Sequence, residues 1–129
     1  MNDRVSITVE HHVADVRLTR ADKMNALDPA MFQGIIAAGE ELAAMKGVRA
    51  VVLSGEGRSF CAGLDMASMA GGGASASGGV KSLTDRTHGN ANDFQQVAML
   101  WRKLPVPVIA AVHGVCFGGW LQIASGADI

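Results

Sequence analysis

Two glycine-bearing stretches hold the residues best suited to chemistry. The first is Ser59-Phe60-Cys61-Ala62-Gly63-Leu64-Asp65-Met66, and the second is His113-Gly114-Val115-Cys116-Phe117-Gly118-Gly119. Each follows an apolar strand-like run and leads into a helical pattern. A strand that passes through glycine into a helix start leaves backbone N–H groups with no internal partner. Such donors carry partial positive charge and suit an oxyanion or a phosphate. Neither stretch ends in the glycine-lysine-serine/threonine of a phosphate loop, and no GxGxxG follows a strand. If the two turns face each other, the Leu64 and Gly119 N–H groups converge on one carbonyl oxygen. Two preorganised donors of that kind stabilise an enolate or a tetrahedral oxyanion. Glycine beside them lets a ligand approach closely.

The elements that must position these turns read as alternating strands and helices. Val5, Ile7 and Val9 alternate with polar residues as a half-buried strand, and Val13, Val16 and Leu18 form a second, hairpin-paired one. His11-His12 sits at the turn between them. Adjacent strand residues point to opposite faces, so the pair is a solvated turn rather than a metal site. Asp28 is the N-cap and Pro29 the N1 residue of a helix whose apolar stripe is Met31, Ile35, Ala38, Leu42 and Met45, with Gly47 as its C′ residue. Glu40 and Glu41 lie off the stripe. Val48 to Leu53 is a buried strand. Asn92 or Asp93 caps a second helix with Phe94, Val97, Trp101 and Leu104 on one face, widened by Met99 and Leu100. Pro105 and Pro107 end it. Val106 to Val112 is the next strand, Gly118 to Ser125 a helix, and Ala127-Asp128-Ile129 the opening of a further strand. This alternation predicts a layered α/β fold with a largely parallel sheet.

Composition narrows the function classes. The 129 residues suffice for one domain, and 49% hydrophobic against 18% charged residues favours a folded chain over a disordered one. The net charge of −1, without blocks of like charge, lacks the basic footprint of a nucleic-acid or membrane-surface binder. The longest apolar run is too short to span a bilayer, and no signal-peptide pattern follows Met1, so a cytoplasmic protein is expected. Cys61 and Cys116 are read as reduced packing residues, although a helix N-terminus beside Cys61 would lower its pKa. Gly71 to Gly79 is rich in Gly and Ser, and a mobile loop is expected over 70–90, with His88 inside it. Asp65 is suited to complement the dipole of the helix that follows, and His113 to satisfy backbone near the second turn.

The order of these motifs resembles the crotonase superfamily, the enoyl-CoA hydratase/isomerase family. Arg20 to Leu27, with Asn25-Ala26-Leu27, is similar to the family's early loop. Phe60-Cys61-Ala62-Gly63-Leu64-Asp65 is similar to its phenylalanine-x-alanine-glycine-x-aspartate segment. Ile109-Ala110-Ala111-Val112 matches the strand before its second turn, and Gly114, Gly118 and Gly119 fall at that turn's glycines. The resemblance implies a crotonase-like (ClpP/crotonase) layered β-α-β spiral, with 1–129 as the N-terminal part of an acyl-CoA-binding domain. It implies acyl-CoA thioester substrates, an oxyanion hole of Leu64 and Gly119 N–H, and assembly as a homotrimer or hexamer. Leu64, Asp65, Met66 and Ala67 would line the thioester channel, Ala62 backbone would lie near the adenine, and Lys23 and Met24 would flank the CoA arm. No separate cofactor is implied, because coenzyme A enters as part of the substrate.

Two departures matter. Gln122 stands where hydratases of the family have a glutamate, and an amide cannot act as a general base. The family's second acidic residue lies about twenty positions further on. Trp120 replaces the third glycine of the second turn, either narrowing the acyl pocket or packing the helix. The expected function is enolate chemistry on enoyl-CoA thioesters, with isomerisation favoured over hydration. The alternative is an acyl-CoA-binding pseudoenzyme without turnover, and a purely structural or oligomerisation role is a third, weaker option.

Overall fold

The computed structural model describes residues 2–70 and 84–129. The Gly71 to Gly79 cluster, and with it most of the segment expected to be a mobile loop, lies outside the described residues. Residues 84–90 of that segment are described. They lead into a turn in which His88 and Ala91 exchange backbone hydrogen bonds of 2.9 and 3.2 Å.

A four-stranded sheet in the order β1-β2-β3-β4 forms the frame. Strand β1 (Val5–Glu10) pairs antiparallel with β2 (Val13–Leu18), and Glu10 faces Val13 across a two-residue turn. His11 and His12 make that turn with φ of 49° and 67°. Positive φ at both central residues matches the right-handed twist of a hairpin. The His12 ring lies 2.8 Å from Gly47 O, while His11 is exposed. Among the described residues no cluster of His, Cys, Asp or Glu is placed to hold a metal ion.

β3 (Ala50–Gly55) and β4 (Val108–Ala110) add in parallel. Both differ from the sequence expectation. β3 begins two residues later than Val48 because β2 begins at Val13, whose partner is Ala50. β4 is confined to three residues. Pro107 has no N–H for a ladder, and the Val108 N–H bonds the Asp128 carboxylate at 2.8 Å. Residues 127–129 form no strand, although Asp128 N–H reaches Val108 O at 2.8 Å and Ala110 N–H reaches Ile129 O at 2.8 Å. β1 is also less covered than its alternation implies: Val5 is buried, Ile7 intermediate and Val9 exposed.

One face of the sheet, carrying Ala14, Val16, Leu18, Val51, Leu53 and Val108, is buried with the helices. Helix α1 (Pro29–Ala44) presents Met31, Ile35, Ala38 and Leu42, all buried as its stripe predicts. Its N-cap is Asp28, whose Oδ1 accepts the Met31 N–H at 2.7 Å. At the other end Met45 is the cap, in extended conformation, so Gly47 (φ 93°) turns the chain beyond the cap rather than serving as C′. Helix α3 (Asp93–Lys103) starts in a capping box between Asn92 and Gln95 and packs against α1, where Phe32 and Phe94 meet edge to face at 5.1 Å. Two short helices, α2 (Met66–Ala70) and α4 (Gly119–Ala124), follow the two glycine turns. No described helix is long and apolar enough to cross a membrane.

Candidate active site

The first turn is built on Leu27. The Leu27 N–H donates to Gly63 O at 2.8 Å, and the Asp65 N–H donates to Leu27 O at 2.9 Å, making an isolated parallel bridge between Leu27 and Leu64. In a parallel bridge of this pattern the central residue's own N–H points away from the partner. Gly63 takes φ of 98°, and a Cβ there would lie 3.3 Å from Phe117 O, so both backbone angle and space favour glycine. Asp65 then opens α2. Its Oδ1 accepts the Ala67 and Ser68 N–H groups at 3.0 and 3.3 Å, which is the helix-start role expected of it. Its Oδ2 accepts from Arg20 at 2.6 Å. The Arg20 guanidinium holds the Asp65 carboxyl below its ordinary range, and the helix N–H groups add to that effect.

The second turn lies directly beside the first. Phe60 N–H donates to His113 O, Cys61 N–H to Val115 O and Phe117 N–H to Cys61 O, at 2.8, 3.1 and 3.2 Å, with Cys61 and Cys116 opposite each other. Gly114 has φ of 62°, and a Cβ there would come within 2.3 Å of Arg58 O, which backbone cannot accommodate. The His113 ring lies 2.9 Å from Gly57 O, so it satisfies backbone as its position suggests. Trp120 is fully buried and packs edge to face on Phe60 at 5.4 Å. It therefore packs the helix and does not line the cleft described next.

A cleft of about 260 Å³ opens between the turns, lined by Leu27, Phe32, Leu64, Phe94, Val97, Gly119, Gln122 and Ile123. Three of the residues expected to form a site, Leu64, Gly119 and Gln122, thus meet on one cleft. Among the described residues neither the Leu64 N–H nor the Gly119 N–H has a hydrogen-bond acceptor. No lining residue carries a carboxylate. The other expected residues do not line this cleft. Met24, in left-handed conformation (φ 48°), accepts the Ala62 N–H at 2.9 Å, so these two are neighbours. Lys23, Met66 and Ala67 are exposed.

Cys61 differs from the expectation of a lowered pKa. It is fully buried, and burial pushes its thiol up to about 12, with the Cys116 thiol raised by burial as well. Its Sγ contacts Asn25 O at 2.8 Å. A neutral thiol of this kind is a packing group, not a nucleophile.

Two residues of the early loop turn out to organise the site. Asn25 is fully buried, with φ of 55°. Its side-chain amide donates to Glu56 O, Ser59 O and Phe60 O at 2.9, 3.0 and 3.1 Å, and its Oδ1 accepts the Arg20 N–H at 3.0 Å. Two hydrogens shared among three carbonyls tie the early loop to the chain entering the first turn. Arg20 is nearly as buried and contacts Asp28 as well as Asp65. The sequence offered one signal for both: a run of polar residues directly before a capped helix, where buried charge is rare unless paired. Of the aromatic wall, Phe94 was legible only as part of a helix stripe, and Phe32 was not singled out by the sequence.

Comparison with known proteins shows the family and the fold. The family model described as enoyl-CoA hydratase/isomerase matches residues 8–129. The chain is 32% identical over 123 residues to the mitochondrial Delta(3,5)-Delta(2,4)-dienoyl-CoA isomerase of Mus musculus, which covers 95% of this chain and 38% of that protein. Among solved structures, an enoyl-CoA hydratase/isomerase from Xanthobacter autotrophicus Py2 superposes with a TM-score of 0.83 at 29% identity, over 100% of this chain and 45% of that one. An enoyl-CoA hydratase from Thermoplasma volcanium GSS1 gives 0.79 at 27% identity, over 99% and 47%. The chain spans less than half the length of each of these relatives. With its motifs in family order on a matching backbone, this chain belongs to the enoyl-CoA hydratase/isomerase family and has the crotonase fold.

Proposed function

We propose that this chain supplies the thioester-binding and oxyanion-stabilising part of an enzyme that hydrates enoyl-CoA or shifts its double bond. One observation supports this reading above the rest: two backbone N–H groups without acceptors among the described residues, at Leu64 and Gly119, border one cleft. A thioester oxygen seated between them would accept both. Removal of a proton from the carbon next to the thioester moves charge onto that oxygen, and two fixed donors stabilise the resulting enolate. Backbone donors keep this capacity at any pH. The apolar wall of Leu27, Phe32, Phe94 and Val97 suits an acyl chain and keeps the local dielectric low, which strengthens both hydrogen bonds. Lys23 and Met24 would flank the CoA arm and Ala62 the adenine. Asp65, Met66 and Ala67 would border the thioester channel, and the intact protein would assemble as a trimer or hexamer.

Gln122 favours isomerisation over hydration. Addition of water needs one group to activate the water and another to deliver a proton, and an amide at this position can do neither. It can hydrogen-bond the substrate or a water. The same residue favours a second reading, an acyl-CoA-binding protein without turnover, because no carboxylate lines the cleft among the described residues.

The test is to follow 3-enoyl-CoA isomerisation and crotonyl-CoA hydration by absorbance while measuring crotonyl-CoA binding in parallel. Turnover of 3-enoyl-CoA supports the enzyme reading. Binding without any turnover favours the binding-only reading, and failure to bind an acyl-CoA overturns both.

A further inference from the structure

We propose that Arg20 is a positioning residue for the Leu64 N–H: a single nitrogen of its guanidinium locks the Leu27–Leu64 bridge and thereby sets the donor's direction. The inference rests on the reading of Leu64 as a donor to a thioester oxygen.

Arg20 Nη1 lies 3.2 Å from Ala26 O, 3.2 Å from Asp28 Oδ2 and 2.6 Å from Asp65 Oδ2. Ala26 and Asp28 flank Leu27, and Asp65 follows Leu64. One nitrogen therefore joins both segments of the bridge, on either side of Leu27 and just after Leu64. The bridge in turn dictates where the donor points. The C=O and N–H of a trans peptide unit face opposite ways. The Gly63 carbonyl is held by the Leu27 N–H at 2.8 Å, so the Leu64 N–H of the same peptide unit faces away from Leu27. The next peptide unit is held as well, through Asp65 N–H to Leu27 O. Rotation of the Leu64 donor requires breaking this pairing, and Arg20 grips Asp65, which makes one of the bonds, and the two chain neighbours of Leu27, which makes both.

The two carboxylates divide their oxygens alike. Asp28 Oδ1 caps α1 and Asp65 Oδ1 caps α2, while both Oδ2 atoms meet Arg20. Arg4 adds a second cation on Asp28 alone, at 3.0 Å. The side chains of Arg20, Asp28 and Asp65 are only 14%, 9% and 10% exposed. Without Arg20, two buried carboxylates that share one nitrogen are left facing each other, and Asp65 has no cation. A buried charge that loses its partner is strongly destabilised, and the displaced segment is the one that carries Leu64.

The experiment uses the intact protein and butyryl-CoA carrying a 13C label in the thioester carbonyl. Infrared difference spectroscopy reads the carbonyl stretch, which falls as hydrogen bonds to the oxygen strengthen. Butyryl-CoA is expected to shift downward on binding to the wild type. In Arg20→Met the band is expected to return part of the way toward its free position, the Gly119 donor remaining, with affinity changed by less than about threefold and kcat lowered on the order of 10- to 100-fold, the usual scale for a small misplacement. Arg20→Lys is expected to restore most of the shift, since one ammonium can replace one nitrogen's contacts. A folded Arg20→Met protein with the wild-type band position overturns the inference. If that variant does not fold, Asp65→Asn decides: it keeps an oxygen for the α2 N–H groups and loses the Arg20 acceptor, and an unshifted band relative to wild type overturns the inference equally. A wild type whose bound thioester shows no downward shift removes the donor reading of Leu64, and this inference with it. A wild-type shift that survives in the variants removes the inference alone.

Discussion

The turn through Gly63-Leu64 and the turn through Gly118-Gly119 expose the same chemical group, a backbone N–H without an acceptor among the described residues, but different forces hold them. The first is held by polar side chains reaching across the sequence: Asn25 onto three carbonyls and Arg20 onto two carboxylates. The second is held by backbone bonds to the first, by a glycine that admits Arg58 O where no Cβ fits, and by Trp120 packed on Phe60. One turn is thus an electrostatic construction and the other a steric one. The first answers to pH and to charge-changing substitutions, whereas the second answers to changes in volume.

Four tests separate the electrostatic turn from the steric one. The largest effect is expected from Trp120→Ala. Emptying a fully buried indole site costs about 3–5 kcal/mol, read by chemical denaturation, and acyl-CoA affinity should fall with the loss of the second turn. A stability change under about 1 kcal/mol would show that packing does not hold this turn.

Gly119→Pro removes one donor and brings a Cβ to 3.2 Å from the Leu27 Cδ1, a flexible side-chain end. Gly119 is the first residue of α4, the position where a helix tolerates proline, because the N–H there has no intrahelical acceptor. Loss of one oxyanion-hole donor costs about 3–4 kcal/mol of transition-state stabilisation. In a turning-over protein kcat is therefore expected to fall by a factor on the order of 10² to 10³ with the fold retained. An unchanged rate sinks the oxyanion role.

Asn25→Ala tests the polar turn without touching a formal charge. It leaves the Ser59 and Phe60 carbonyls without the Asn25 donor, and buried unsatisfied groups cost about 1–3 kcal/mol each. A loss of about 2–3 kcal/mol is expected, together with faster amide exchange at residues 59–65 than at 113–119. Equal acceleration in both turns would mean that they are held as one unit.

The smallest effect is the acid dependence of Asp65. Its carboxyl is held below the ordinary value of 3.8 in the folded chain, so the unfolded chain takes up the proton first. The stabilisation from Arg20 is thus complete above that ordinary value and fades as pH falls through and below it. Asp65→Asn is expected to run parallel to wild type in urea melts above about pH 5 and to converge with it in more acid solution. A constant gap down to pH 2 would exclude this carboxyl from the acid limb.

Local patterns were the most legible part of the chain. Asp28-Pro29 and the stripe of Met31, Ile35, Ala38 and Leu42 identified α1, because capping and helical periodicity depend on neighbours within a few residues. Asn92 or Asp93 marked the start of α3 for the same reason, and the capping box settles it on Asn92. Strand limits were less legible. Val48 has the apolar character of a strand residue, but pairing begins where the neighbour begins, at Val13 opposite Ala50. Cys61 was legible as a packing residue, and complete burial against Asn25 O bears that out while reversing the lowered pKa that the nearby helix start suggested. Burial depends on what packs above a residue, not on its neighbours in the chain.

That two glycine turns follow two strands, that each leaves N–H groups without a helical partner, and that Gln122 provides no titratable group can all be read along the chain. These follow from residue type and short spacing. Only the tertiary structure decided that Leu64, Gly119 and Gln122 border one cleft, that Trp120 lies beneath it rather than in it, and that Arg20 and Asn25 hold the first turn in place. Those contacts join residues tens of positions apart. Their energies come from burial and from the meeting of charges in a low-dielectric interior, and neither exists until the sheet has brought the segments together.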